Sequence, residues 1–298
     1  MTKKPHSAQY LGAARDYWWN EDFLELIAKR WDLDKVSSLL DVGCGVGHWG
    51  QLLSDFLPEH AHISGIDREK TWIHKAQERT KGCEKRFDYQ VGVGEKIPFP
   101  DASFDMVTCQ TLLIHVKDVQ VALKEMLRVL KPGGLLAVVE SNNCASQLIF
   151  DSLSSQDSLE DRLNAIRFHL TCERGKANLG GGFESVGDLI PMHFQQLGVT
   201  DIRVYLSDKT SAMIPPYADA EQQAYIEELK SWYESKYIVW NKEDTLKYFL
   251  AGGGKPGEFD GLWTALKTSF KNILDAIADK TYHCSGGNIF YLISGRKK

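Results

Sequence analysis

The stretch 39-LLDVGCGVGHWGQLL-53 holds two overlapping glycine patterns, and the choice between them decides the fold and its ligand. Counted from Gly43 it is G-x-G-x-G behind the acidic Asp41; counted from Gly45 it is G-x-G-x-x-G, the pattern associated with a dinucleotide pyrophosphate. Both describe an apolar strand that turns tightly into a helix. Glycine lets the backbone approach a ligand there, and the helix start offers unpaired N–H groups. The register separates the two. In the dinucleotide pattern the first glycine follows the strand directly, which is Gly43, and the last glycine then falls on His48. Asp41 would repel a pyrophosphate at close range, yet it suits a ligand that carries an ammonium group. The residues therefore argue against a nicotinamide dinucleotide.

Outward from this loop the chain alternates short apolar runs with amphipathic stretches. SLLDVG is followed by HISGID, FDYQVG, FDMVTCQ and LLAVVE, with helix-patterned segments near 46–57, 69–81 and 118–130. Buried strands alternating with helices predict a parallel sheet with right-handed crossovers. KPGG at 131–134 reads as the stop of the third helix, with Lys131 in its last turn. Residues 10–31 have a helical apolar stripe through Leu24, Ile27, Ala28 and Trp31.

After Glu140 the alternation pauses. Residues 141–185 fit no strand; a helix at 186–197 and the run VTDIRVYL then resume the pattern, and NIFYLISG completes it as a seventh strand. Between the last two strands, 209–285 reads as helices near 219–236, 243–251 and 258–279, broken by IPP and AGGGKPG. The expected fold is α/β: a Rossmann-like, doubly wound, mostly parallel seven-stranded sheet with helical lid insertions after strands five and six. The corresponding division is an N-terminal helical cap at 1–35, a ligand-binding core at 36–140, a lid at 141–185, more core at 186–208, a second helical insertion at 209–285 and the last strand at 286–298.

The 298 residues suffice for a full core, and 43% hydrophobic with 25% charged residues is an ordinary globular mixture. A formal net charge of -5 supplies no general attraction to phosphate backbones, which argues against nucleic acid as a partner. No apolar run approaches the ~20 residues of a membrane helix, and MTKKPHSAQY lacks the apolar stretch of a secretion signal. Six cysteines without C-x-x-C pairing suggest reduced thiols and a cytoplasmic setting. His169, His193 and His283 have no ligand-like spacing, so no metal site is expected.

Asp67 ends the second strand about 20 residues after Gly47, where a carboxylate can accept hydrogen bonds from both hydroxyls of a ribose. An N-cap of the following helix is the plainer role for the same residue. Together, LLDVGCGVG, GIDRE, GEKIPFPDASFDMV, LLIHVKD and RVLKPGGLLAVVE, in this order and spacing, resemble the class I S-adenosylmethionine-dependent methyltransferases, and within them the small-molecule branch. The resemblance is strong over 36–140 and silent over both insertions. It implies S-adenosylmethionine as cofactor. Asp41 and the backbone of Gly43, Gly45 and Gly47 would face its methionyl part, Asp67 its ribose, Arg68, Gly94 and Glu95 its purine, and Gln110 its methionyl end. The family often has Asp two residues before that Glu; this chain has Val93, which cannot accept from the adenine amino group through its side chain.

Methyl transfer from a sulfonium is an in-line displacement that rests on alignment and needs a general base only when the acceptor arrives protonated. No fixed catalytic group is therefore required. His115, Glu140 and Tyr17 are the candidates. Each has a plainer reading: a hydrogen-bonded histidine at a helix start, a carboxylate pairing with a loop, a core aromatic. Asn142 shares the rim with Glu140, Trp18 and Trp19 extend the aromatic wall begun by Tyr17, and Arg15 is a candidate partner for the cofactor carboxylate. IPPY at 214–217 lacks the Asn of the N-P-P-Y motif and falls after the wrong strand, so it reads as a rigid turn. The expected reaction is methyl transfer to oxygen, nitrogen or carbon of a small molecule. The alternatives are a tRNA base or protein side chain as acceptor, or a non-catalytic regulator that binds the cofactor.

Overall fold

A computed structural model describes residues 13–83, 86–238, 240–287 and 289–298. In chain order the first half runs α1 (Glu21–Arg30), β1 (Ser38–Val42), α2 (His48–Ser54), β2 (His62–Asp67), α3 (Lys70–Arg79) and β3 (Arg86–Val91), then β4 (Phe104–Gln110), α4 (Val119–Val129) and β5 (Leu130–Asn142). There follow α5 (Asn143–Ser146), α6 (Leu159–Asn178), α7 (Ile190–Gln196) and β6 (Thr200–Leu206). The chain closes with α8 (Ala220–Glu234), β7 (Tyr237–Ile238), β8 (Trp240–Asn241), α9 (Lys242–Ala251), α10 (Pro256–Ala278) and β9 (Ile289–Arg296). The helix expected over 10–31 is a 3-10 turn at Ala13–Tyr17 followed by α1; its first three positions lie outside the described residues.

Two compact units divide these elements. One comprises Asn20–Asn142, Glu184–Asp208 and Ile289–Lys298. Its seven-stranded sheet has the order β3-β2-β1-β4-β5-β9-β6. β1 pairs in parallel with β2 and β4, β2 with β3, and β4 with β5, while β9 runs antiparallel to both β5 and β6. The run VVES at the centre of the sheet is buried on both faces, as an inner strand requires. On one face Leu40, Val42, Val107, Val138 and Ile293 pack with Ala122, Leu123 and Met126 of α4 and Phe194 of α7. Trp31 and Trp49, both fully buried, meet edge to face at 6.4 Å, and the Trp49 indole N–H donates to Thr108 Oγ1 at 2.9 Å. The α1 stripe Leu24, Ile27, Ala28 and Trp31 is buried as its spacing predicts.

KPGG corrects one reading. α4 ends at Val129 with Arg128 as the basic residue of its last turn, and Lys131 already belongs to β5, whose pairing jumps from Phe104↔Leu130 to Met106↔Leu135. Gly133 takes φ +75° within this bulge, and its N–H donates to the Lys297 carbonyl at 2.9 Å. Proline and glycine still end the helix, by opening a bulged strand start.

The other unit gathers the described residues up to Trp19, Asn143–Phe183 and Lys209–Asn288. It has its own apolar centre of Phe168, Cys172, Trp240, Phe249, Phe259, Trp263 and Ile277. α6 and α9 cross at two glycines: a Cβ on Gly175 would lie 1.7 Å from the Tyr248 carbonyl oxygen, and one on Gly252 would lie 1.9 Å from that of Thr171. Backbones this close admit no side chain. The β7–β8 hairpin falls between two segments that the sequence pattern assigns to helices. Among the described residues, no helix is long and apolar enough to cross a membrane.

Candidate active site

Strand order reverses between β1 and β4, and in open α/β sheets a ligand crevice forms at the carboxyl ends of the strands at such a point. The loop leaving β1 supplies its floor. Gly43, Gly45 and Gly47 have φ of 71°, 53° and 78°, the left-handed region open to glycine. Space as well as dihedral requires hydrogen at two of them: a Cβ on Gly43 would lie 2.6 Å from Leu112 Cδ1, and one on Gly47 would lie 2.6 Å from the Tyr89 hydroxyl. The Gly43 and Cys44 N–H groups both donate to the Ile66 carbonyl, at 2.8 and 2.9 Å, which ties the loop to β2.

Two carboxylates brace the loop. Asp41 is buried, and its Oδ2 accepts from the Gly50 N–H at 3.1 Å, linking the end of β1 to α2. Asp67 is half-buried at the end of β2. Its Oδ2 accepts from the Gly45 N–H at 3.0 Å and its Oδ1 from the Glu69 N–H at 2.8 Å. Burial raises its pKa above the ordinary carboxylate value, against the pull of these two amides. Burial likewise pushes the Cys44 thiol well above its usual range, which leaves it a poor nucleophile.

The other predicted site residues differ in their exposure and in the elements that carry them. Gly94 is buried in the turn after β3, where an added Cβ would make only ordinary contacts, at 3.5 Å, with Leu112 and Val42. Glu95 is exposed, as is Val93. Arg68 projects into solvent beside Glu69. Gln110 is buried at the end of β4. His115 is half-buried at the close of the 3-10 turn Leu113–His115. Tyr17, Trp18 and Trp19 belong to the unit that contains the insertions, where the Arg15 guanidinium lies over the Trp18 ring at 4.6 Å.

Glu140 is fully buried, so its carboxylate presents no open face to a ligand. Oε1 accepts from the N–H groups of Leu112 and Leu113 at 2.9 and 2.6 Å. Burial pushes its pKa up to about 8, opposed first by the Leu113 N–H and then by those of Leu112 and Ile114. Loop pairing, the plainer of its two readings, describes this geometry. The Glu140 carboxyl pins the turn after β4 that carries Leu112, the side chain against Gly43. Asn142, two residues on, donates from Nδ2 to Asp188 at 2.7 Å.

A parallel sheet whose last strand is inserted antiparallel between β5 and β6, with a glycine loop latched to an acidic β2 end, defines the Rossmann-like methyltransferase class of fold. Residues 40–138 match the family described as Methyltransferase domain. Among curated relatives, the demethylmenaquinone methyltransferase of Listeria welshimeri is 31% identical over 125 residues, covering 42% of this chain and 51% of the relative. That of Staphylococcus haemolyticus is 39% identical over 106 residues, covering 36% and 44%. The chain thus spans about half the length of the curated relatives it matches. Among solved structures, the YcgJ protein of Bacillus subtilis aligns with a TM-score of 0.53 at 19% identity, over 94% of this chain and 99% of that one. The [4+2]-cyclase SpnF aligns with a TM-score of 0.51 at 17% identity, over 98% and 93%. At these identities the likeness establishes the fold.

Proposed function

We propose that this protein is an S-adenosylmethionine-dependent methyltransferase whose acceptor is a small molecule. The observation that carries the reading is the Gly43–Gly47 loop, held in left-handed backbone at three glycines and latched to Asp67 at the reversal of strand order. The loop has no room for side chains at Gly43 and Gly47, where a Cβ would meet Leu112 and Tyr89, so its shape depends on glycine at both positions. The Asp67 carboxylate has accepting capacity beyond its two amide bonds, enough for a ribose diol. When bound, the cofactor supplies a methyl group already activated on a sulfonium.

This chain's residues then bind, orient and exclude water. The Gly43–Gly47 backbone and Gln110 receive the methionyl part, Asp67 the ribose, and Arg68, Gly94 and Glu95 border the purine. Asp41 acts on the loop by tying β1 to α2. His115 is the first titratable side chain after β4 in sequence, and it serves as the proton acceptor when the acceptor molecule arrives protonated. A small acceptor is supported by the net charge of -5 and by the demethylmenaquinone methyltransferases among the relatives.

Calorimetric titration with S-adenosylhomocysteine tests the site: saturable binding is expected, and no heat at millimolar ligand ends the reading. Incubation with tritium-labelled S-adenosylmethionine and fractionated cell extract tests the acceptor class. Label in the small-molecule fraction is expected; label confined to RNA or protein overturns that part.

A further inference from the structure

The insertion-bearing unit contains a cluster that methyl transfer does not use. α5 presents Cys144, and α6 presents His169 and Glu173, which are four residues apart and so share one helix face. The ligand-type atoms of these three side chains all lie within 4.8 Å of one another. The Cys144 thiol donates to Glu173 Oε2 at 2.8 Å, and His169 Nε2 meets Glu173 Oε1 at 3.2 Å. His169 and Glu173 are buried, and Cys144 is half-buried. The imidazole stacks on Trp240 with centroids 6.0 Å apart and planes 18° apart, which sets the direction in which its nitrogens point.

We propose that Cys144, His169 and Glu173 form a binding site for a zinc-class divalent cation, with three protein ligands and one open position. One thiolate, one imidazole and one carboxylate make a borderline-soft donor set of the kind zinc takes. Metal–ligand arms of about 2.0–2.3 Å in a tetrahedron put the donor atoms about 3.3–3.8 Å apart. The observed contacts at 2.8 and 3.2 Å, within a cluster no wider than 4.8 Å, reach that arrangement through shifts of about an ångström or less. A nucleophilic cysteine would need the imidazole to take the thiol proton, whereas here the thiol donates to the carboxylate. On binding, the Sγ–H bond breaks, the proton passes to solvent and the thiolate takes the cation, so affinity rises with pH. Three protein ligands leave the fourth position to water or to an incoming ligand.

The test uses the purified full chain, stripped with a chelator and titrated with Co²⁺ as the spectroscopic stand-in for Zn²⁺. One equivalent should bind, with a thiolate-to-cobalt absorption band. Cys144→Ser should lose that band. His169→Gln should weaken binding at least about tenfold, since even outer-shell changes around metals cost that much. Cys284→Ser should behave as the parent. The second readout is independent of how the variants fold: Zn²⁺ should slow alkylation of Cys144 in the parent chain, followed by peptide mass spectrometry, and leave the exposed Cys83 unaffected. Absence of the band, its persistence in Cys144→Ser, or alkylation of Cys144 indifferent to Zn²⁺ overturns the proposal. None of these readouts involves methyl transfer, so they stand or fall apart from the proposed function.

Discussion

The Gly45 N–H donates to Asp67 Oδ2 at 3.0 Å, so the glycine loop after β1 is closed onto the end of β2. One carboxylate therefore holds the loop in shape, and in the function proposed above it also receives the ribose. Asp67→Ala removes both functions. Two hydrogen bonds to a charged acceptor correspond to roughly tenfold each in affinity at the low end of their usual worth. S-adenosylhomocysteine binding to Asp67→Ala should fall by about a hundredfold or more, and Asp67→Asn, which keeps one acceptor oxygen, should fall between that and the parent. Calorimetric titration checks both, and an alanine variant that binds as tightly as the parent removes Asp67 from the ribose site.

The glycines make a contrasting pair. Gly43→Ala meets φ of 71° and a Cβ 2.6 Å from Leu112 Cδ1. The dihedral alone costs about 1–2 kcal/mol, and moving Leu112 disturbs the turn pinned by Glu140. Gly94→Ala meets only ordinary contacts, at 3.5 Å. Urea unfolding together with ligand titration should show Gly43→Ala losing both stability and binding, while Gly94→Ala stays close to the parent in stability. Equal effects in the two variants would refute this account of the loop.

Glu140 predicts a dependence on pH. Its pKa in the folded state stands at about 8 because burial favours the protonated form, against an ordinary value of 4.5. Between these values the folded chain holds more proton at this site than the unfolded chain. Glu140's contribution to stability is therefore greatest at low pH and is lost as pH rises toward about 8, by up to ~1.4 kcal/mol per unit. Glu140→Gln keeps an oxygen for the Leu112 and Leu113 amides and abolishes the titration. The stability difference between Glu140→Gln and the parent should move in favour of glutamine from about pH 6 to about pH 9. Denaturant midpoints measured across that range decide the matter, and a gap that does not change with pH contradicts the assignment.

At the start of α4, Asp118 accepts from the N–H groups of Gln120 and Val121 at 3.0 and 3.2 Å. Asp118→Ala should cost ~1 kcal/mol, and Asp118→Asn only a small part of that, because asparagine caps as well. Thermal or urea unfolding measures both. The same carboxylate raises the His193 pKa against the larger effect of burial, which lowers it. Histidine NMR titration of Asp118→Ala should show the His193 pKa falling further.

The parts of the fold that sequence spacing reveals are those set by local periodicity. β1, β2 and β4 follow from apolar runs that end at polar or glycine positions, and α1 and α4 from stripes such as Leu24–Ile27–Trp31 and Leu123–Met126. The glycine loop and the place of Asp67 are also legible, since a strand-to-helix turn imposes a fixed short register. KPGG was ambiguous because proline and glycine end a helix whether a loop or a bulged strand follows. The Gly175–Gly252 crossing is invisible in one dimension: each glycine looks like local punctuation until the facing backbone is in place. Cys144, His169 and Glu173 show the same limit. His169 and Glu173 share a helical spacing, but Cys144 joins them only through the packing of α5 against α6.

β9 lies between β5 and β6, yet it is the last strand in chain order. During synthesis, therefore, β5 and β6 must wait as two separated edges, each with unsatisfied amides and carbonyls, until residues 289–296 have been made. A nascent chain paused before that point exposes a gap the width of one strand, open to chaperones or to a strand from another chain. Joining β6 to the sheet thus waits on residues 289–296, and a stop codon a few residues upstream of Ile289 would leave β3-β2-β1-β4-β5 able to pair while β6 is cut off from them.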